Sequence, residues 1–207
     1  MKIPDKLIEI QNHLIKSNIK LSNSFNDGRI NASINEDELL IEIEKAFSID
    51  IPKSRAWYDF SFSEKKEFYP VNIKITNTTT ADNLNCKLGI YFTLTGLIPD
   101  FPNEINWLSY FEKLKENIGK IKKKDYYFLI FNKKNPIDIF VNTLKGISSL
   151  QPNGNNLPFQ CRWDSNREYK PKTFDESKDF ILKTFGESIK LRSEIYFNFK
   201  LIFPEYV

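Results

Sequence analysis

Trp57-Tyr-Asp-Phe-Ser-Phe-Ser-Glu-Lys-Lys-Glu-Phe-Tyr-Pro-Val-Asn-Ile-Lys74 alternates apolar and polar side chains on either side of a charged centre. Tyr58, Phe60 and Phe62 interleave with Asp59, Ser61 and Ser63, and Val71, Ile73 and Ile75 interleave with Asn72 and Lys74. Successive side chains of a strand point to opposite faces, so each run is a strand with one apolar and one polar face. Folding the pair about Lys66 and Glu67 sets Asp59 across from Lys74 and Ser61 across from Asn72. An acid, an amide and a lysine then share one face of a sheet.

Composition narrows the chemistry available to that patch. At 207 residues, 41% hydrophobic and 14% aromatic, the chain has the length and apolar content of one folded domain. It holds no apolar run of membrane-span length and no signal-peptide core, so a cytoplasmic protein is expected. Two cysteines, Cys86 and Cys161, make neither a disulfide framework nor a cysteine metal cluster. The net charge of +3 is compatible with a nucleic-acid partner without requiring one. His13 is the single histidine, and it falls in an amphipathic helical pattern, which removes histidine-rich metal centres and points away from a Ser-His-Asp site. None of the seven glycines forms a phosphate-binding loop. Carboxylates, lysines and a hard cation remain.

The rest of the chain reads as helices and strands around the hairpin. Asp5 to about Lys20 has a helical stripe of Leu7, Ile10, Leu14 and Ile15, and Ser22 to Ser33 reads as a loop. Asn35 with Glu38 reads as a capping box that starts a helix striped by Leu39, Leu40, Ile43, Ala46 and Phe47. Glu36 falls on that stripe. It either frays into solvent, where a helix start favours acids, or it is lent to the hairpin's polar patch. Asp82 reads as the cap of a helix running through Leu84, Cys86, Leu88, Tyr91 and Leu94 to a stop at Gly96. Glu104 to Lys124 reads as a long amphipathic helix with Ile105, Leu108, Phe111, Leu114 and Ile118 inward. Tyr126 to Phe131 is a continuous apolar run and predicts a central strand beside the hairpin, with a further strand at Ile137–Val141. Asn142 to Lys172 is loop-rich. Asp175 caps a helix through Ile189, and the aromatic tail from Ile195 to Phe203 is either a last strand or an interface. The expected fold class is α/β, a mixed sheet flanked by helices, in a single domain over residues 1–207 with its catalytic core at about 36–131.

Phosphodiester cleavage needs a hard cation on the phosphate, a positioned water and charge stabilisation of the transition state. Mg²⁺ takes oxygen ligands and keeps several waters, so few protein ligands suffice. Asp59, the amide oxygen of Asn72 and the backbone carbonyl of Ile73 form the candidate ligand set, and Lys74 is the candidate for orienting or deprotonating the water.

An Asp, a hairpin and then Asn72-Ile73-Lys74 resemble the PD-(D/E)xK nuclease core, specifically that of small type II restriction endonucleases. Val71-Asn-Ile-Lys-Ile75, Ala81-Asp-Asn-Leu-Asn-Cys-Lys-Leu-Gly-Ile-Tyr91 and Thr95-Gly96 are similar to restriction-enzyme sequence, and Leu157-Pro-Phe-Gln-Cys-Arg-Trp163 with Asn166-Arg167 echoes it more faintly. The likeness covers about residues 57–96. It departs from the pattern at Tyr58, where proline is usual, and at Asn72, where the pattern has an acid. The resemblance makes Glu36 the first candidate for the missing acid, with Glu42 in reserve. It implies a restriction-endonuclease-like sheet, Mg²⁺-dependent cutting of double-stranded DNA at a short sequence, 5′-phosphate products and a homodimer.

Arg pairs with guanine edges and Asn or Gln with adenine edges. Gln160, Arg162, Asn166 and Arg167 on the 142–172 segment are therefore the candidate readers, with Asn83, Asn85 and Lys87 as further DNA contacts. Lys120, Lys122 and Lys123 would only position phosphates. The rival readings are a non-catalytic DNA-binding or protein-interaction module, in which Asp59 and Lys74 are a structural pair, and a structure-selective repair or junction nuclease.

Overall fold

The computed structural model describes residues 2–19, 21, 28–53, 56–102 and 104–207. Two helices, α1 (Asp5–Ser17) and α2 (Gly28–Ala46), precede strands β1 (Phe60–Glu64), β2 (Glu67–Thr76) and β3 (Ala81–Leu84). Helices α3 (Lys87–Thr95) and α4 (Trp107–Asn117) lead to β4 (Tyr127–Asn132), β5 (Ile139–Thr143) and β6 (Phe159–Arg162), and the long helix α5 (Phe174–Ile202) follows. One sheet has the order β1-β2-β4-β5, with β2 and β4 parallel and both outer pairs antiparallel; β3 and β6 form a separate two-stranded sheet. The protein is thus a mixed α/β fold in which helices flank a mixed sheet.

The apolar run of β4 is explained by burial on both faces. Tyr127, Leu129 and Phe131 pack with the stripes of α1 and α2, while Phe128 and Ile130, with Tyr126 just before the strand, pack with α3, α4 and α5. A strand covered by helices on both faces has no solvent face, which is why no polar residue interrupts the run from Tyr126 to Phe131. β2 is different. Its Val71 and Ile73 belong to the α1/α2 core, and Asn72 and Lys74 point to the other side.

The hairpin forms where expected but turns one residue earlier. Lys65 and Lys66 both have positive φ, 51° and 66°, as a two-residue hairpin loop whose twist matches its strands requires. Glu64 pairs with Glu67 and Phe60 with Val71. Continuing that register sets Asp59 opposite Asn72, not Lys74, and the Asp59 N–H donates to the Val71 carbonyl at 2.9 Å. A slip of two residues keeps every side chain on its face, so the polar patch survives the correction.

Other expectations are corrected outright. Asn35 caps nothing: α2 begins at Gly28, so residues 28–33 of the expected loop are helical and Asn35 is buried mid-helix; residues 22–27 lie outside the described residues. Asp82 lies in β3, where it accepts a hydrogen bond from Trp163 Nε1 at 2.8 Å, and α3 starts later, at Lys87. The Gly96 stop is observed, with φ of 74°. The expected helix over 104–124 is confined to Trp107–Asn117, capped by Asn106, whose side chain accepts from the Ser109 N–H. Leu108 is 68% exposed and does not face inward, and Phe111 is only partly covered. The true cap of α5 is Thr173, in a capping box with Glu176, and the tail from Ile195 is helix as far as Ile202, which removes its strand alternative. Among the described residues no helix is long and apolar enough to cross a membrane.

Gly89 shows how tightly α3 sits on the sheet. A Cβ built there would lie 2.7 Å from the Tyr126 ring. Gly89→Ala is expected to cost about 1–3 kcal/mol through overpacking, against the gain Ala brings to an ordinary helix site. Chemical denaturation checks this, and because Tyr126 borders the cavity described next, the substitution should also disturb that site.

Candidate active site

Three elements bring the polar patch together. The lead-in to β1 supplies Asp59, β2 supplies Asn72 and Lys74, and the middle of α2 brings Glu36 near enough to feel the charges of Asp59 and Lys74. Asp59, Asn72 and Lys74 line a cavity of ≈130 Å³ with Trp57, Asn85 and Tyr126. That is room for about four waters. The Tyr126 hydroxyl donates to the Trp57 carbonyl at 2.6 Å, fixing one wall.

Asp59 is held firmly. Its Oδ2 accepts from the Ile73 N–H at 2.5 Å and from Asn72 Nδ2 at 2.6 Å. Burial pushes its carboxyl up to about 6, against the opposing pull of the Ile73 N–H and the Lys74 charge. Glu36, half-buried, is pushed up to about 7, first by burial, then by the charges of Asp59 and Asp37, with Lys74 opposing. Two acids raised chiefly by burial, with the Asp59 charge adding to the cost of ionising Glu36, form beside one lysine a site that a cation relieves.

The geometry revises the ligand set. Asn72 presents its amide nitrogen to Asp59, so as folded it orients the carboxylate, and ligation through its oxygen requires the amide to turn over. Asp59 and Glu36 are the anionic pair, with the Ile73 carbonyl as the remaining expected donor. Among the described residues no group of three or more His, Cys, Asp and Glu side chains converges as a metal cluster. A two-carboxylate oxygen set fits Mg²⁺, which keeps most of its water, better than it fits a softer metal. The reserve acid Glu42 is occupied elsewhere: it meets His13 at 3.2 Å, accepts from Ser17 and pairs with Lys45. Among the described residues the Lys74 ammonium makes only a long contact, 3.4 Å, to the Asn83 carbonyl.

These carboxyl shifts set a pH dependence. An acid whose folded pKa lies above its unfolded value binds more protons folded than unfolded, so stability is highest at low pH and is lost as pH rises through the folded pKa. The metal-free protein is therefore expected to lose stability between about pH 4 and 7 from Asp59 and Glu36. Asp59→Asn, which keeps an oxygen to accept both hydrogen bonds, should stabilise metal-free protein at pH 8 by up to about 3 kcal/mol. Melting curves across that range, with and without Mg²⁺, check both statements.

The expected DNA contacts fall into two groups. Asn83 and Gln160 are paired residues of the β3–β6 sheet, and both accept from Asn153 Nδ2 at 2.9 Å. Asn85 borders the Asp59 cavity and also a neighbouring depression with Lys87, Asn155, Asn156 and Arg192. Arg162 is exposed at the end of β6. Asn166, in contrast, is fully buried and spends its amide on Ser148, Ser149 and Arg162 backbone groups. It staples the loop and has no group left for a base. Arg167 forms a two-pronged pair with Asp138 at 2.7 and 2.8 Å and two further bonds to Asp164 Oδ1, over the Phe140 ring. It too is committed. Of the expected phosphate lysines, Lys123 pairs with Glu67 at 2.5 Å, Lys120 donates to Asn117, and Lys122 lies over the Phe174 ring.

The amides passed over in the sequence are Asn153, Asn155 and Asn156. Their signal was present, three amides within Asn153-Gly-Asn-Asn156, but nothing local tied them to Asn83, seventy residues away. Compared with known proteins, the chain matches no family model and no curated protein.

Proposed function

We propose that the protein is a Mg²⁺-dependent endonuclease acting on double-stranded DNA in the cytoplasm, with Asp59, Glu36 and Lys74 as its catalytic residues. The observation that carries this reading is a cavity lined by Asp59 and Lys74, with Glu36 close enough to feel both charges and both acids raised towards neutrality. Asp59 and Glu36 would hold the cation, and Asn72 and the Ile73 N–H keep Asp59 aimed. When bound, Mg²⁺ supplies the charge that polarises the scissile phosphate and acidifies water. Lys74 holds the attacking water and offsets the negative charge that grows on the phosphate oxygens. Trp57 and Tyr126 wall the site on one side, which strengthens each of these interactions by excluding solvent.

Sequence-specific cutting, with 5′-phosphate ends, is the finer proposal. It draws on the amide-lined surface of Asn83, Asn85, Asn153 and Gln160 beside the cavity, which suits adenine edges. The test is digestion of long linear DNA by the purified protein in Mg²⁺, with end-labelling of the products. Discrete fragments with 5′-phosphates support a restriction enzyme, and a smear supports an unspecific or structure-selective nuclease. No cutting with tight DNA binding would instead favour the non-catalytic module.

A further inference from the structure

Helix α5 changes character halfway along. Up to Ser188 it places Ser177, Ile181, Thr184, Phe185 and Ser188 in the interior. Arg192 makes anchoring bonds to the main body, donating to the Gly154 and Asn155 carbonyls at 2.7 Å each. From Lys190 to Val207 no residue is buried. The sequence there nevertheless stays apolar: Leu201 is 77%, Ile202 66% and Phe197 62% exposed.

The core-facing stripe of the helix runs on into this segment. Leu191, Ile195, Phe199 and Phe203 follow at spacings of four, on the side that Ile181, Thr184 and Ser188 bury earlier. Leu191 and Ile195 border the amide-lined depression, and beyond them the rings contact one another: Tyr196 with Phe197, Phe199 with Phe203. Lys190, Arg192, Glu194, Asn198 and Lys200 interrupt the segment, but a wide apolar stripe on a helix is ordinarily one that packs against a partner. An aromatic side chain carries about 150–250 Å², so the ten exposed apolar residues from Leu191 to Val207 offer on the order of 1000 Å². A monomer ordinarily leaves a few hundred exposed, whereas a standard stable interface buries about 800 Å² on each partner.

We infer that the C-terminal half of α5 is the dimer interface of this protein, on which a second copy docks its own α5 antiparallel, centred at the level of Phe197. The stripe is self-complementary in that arrangement, as a closed two-fold interface requires. Ile195 meets Phe199 of the second copy, and Leu191 meets its Phe203. The pairing also sets the amide-lined depressions of the two copies on either side of the two-fold axis. This inference stands on the helix alone and does not depend on the nuclease reading.

Light scattering after size exclusion, at micromolar protein, tests it. The wild type should run as a dimer. Ile195→Asp and Phe199→Lys should each run as monomers with unchanged helical circular dichroism and melting of the main body, because both side chains are exposed in the single chain. Mixing the two variants should restore a dimer, since Asp at 195 of one then faces Lys at 199 of the other. A monomeric wild type would overturn the inference, including one that co-floats with lipid vesicles. A dimer indifferent to both substitutions, or variants that stay monomeric when mixed, would overturn it equally.

Discussion

Replacing Lys74 with alanine is expected to lower DNA cleavage by about 10³-fold or more while leaving the fold intact. The side chain lines a cavity and makes a single long hydrogen bond among the described residues, so little packing is lost. The chemical loss is large because the ammonium is the cation that opposes the charge of both Glu36 and Asp59. Removing it should raise both carboxyls further and weaken Mg²⁺ binding at neutral pH as well as the chemical step. Single-turnover cleavage at saturating Mg²⁺ separates the two effects. Lys74→Arg keeps the charge, so it should recover the Mg²⁺ affinity but not the full rate.

The second large effect concerns stability. Trp163 is fully buried against Phe128 and Phe140, and its indole N–H donates to Asp82. It ties the β3–β6 sheet, with Asn83 and Gln160, to the central strand β4. Trp163→Ala is expected to cost about 3–5 kcal/mol by deletion of a large core side chain. Trp163→Phe should cost less, removing mainly the bond to Asp82. Urea denaturation followed by circular dichroism measures both. If β3–β6 carries the DNA-reading surface, the phenylalanine variant should lose discrimination between DNA sequences before it loses cleavage.

What was legible in the sequence was local. The hairpin could be read because alternation of period two survives a misplaced turn: Asp59 and Lys74 stay on one face whether the loop is at Lys65-Lys66 or one residue on. β4 could be read because burial on both faces leaves an unbroken apolar run. Glu36 could be picked out because it sat on an apolar stripe. The misreadings involve partners far apart in the chain. Asp82 has the residue type of a helix cap, yet it lies in a strand that pairs with β6 some eighty residues later. Asn166 and Arg167 have the chemistry of DNA readers, but Ser148, Ser149 and Asp138 use that chemistry to hold a loop. The 195–203 tail is rich in residues that favour strands, and the helix nucleated by the Thr173 capping box carries through it regardless.

The most direct measurement is conversion of supercoiled plasmid by the wild type, Asp59→Asn and Glu36→Gln, each with Mg²⁺ and with chelator. The wild type should nick and linearise the DNA only with Mg²⁺, and both variants should be reduced by at least about 10²-fold at equal folded protein. An inactive wild type across several DNAs and divalent metals, or carboxylate variants that cut as well as the wild type, would contradict the assignment of this site.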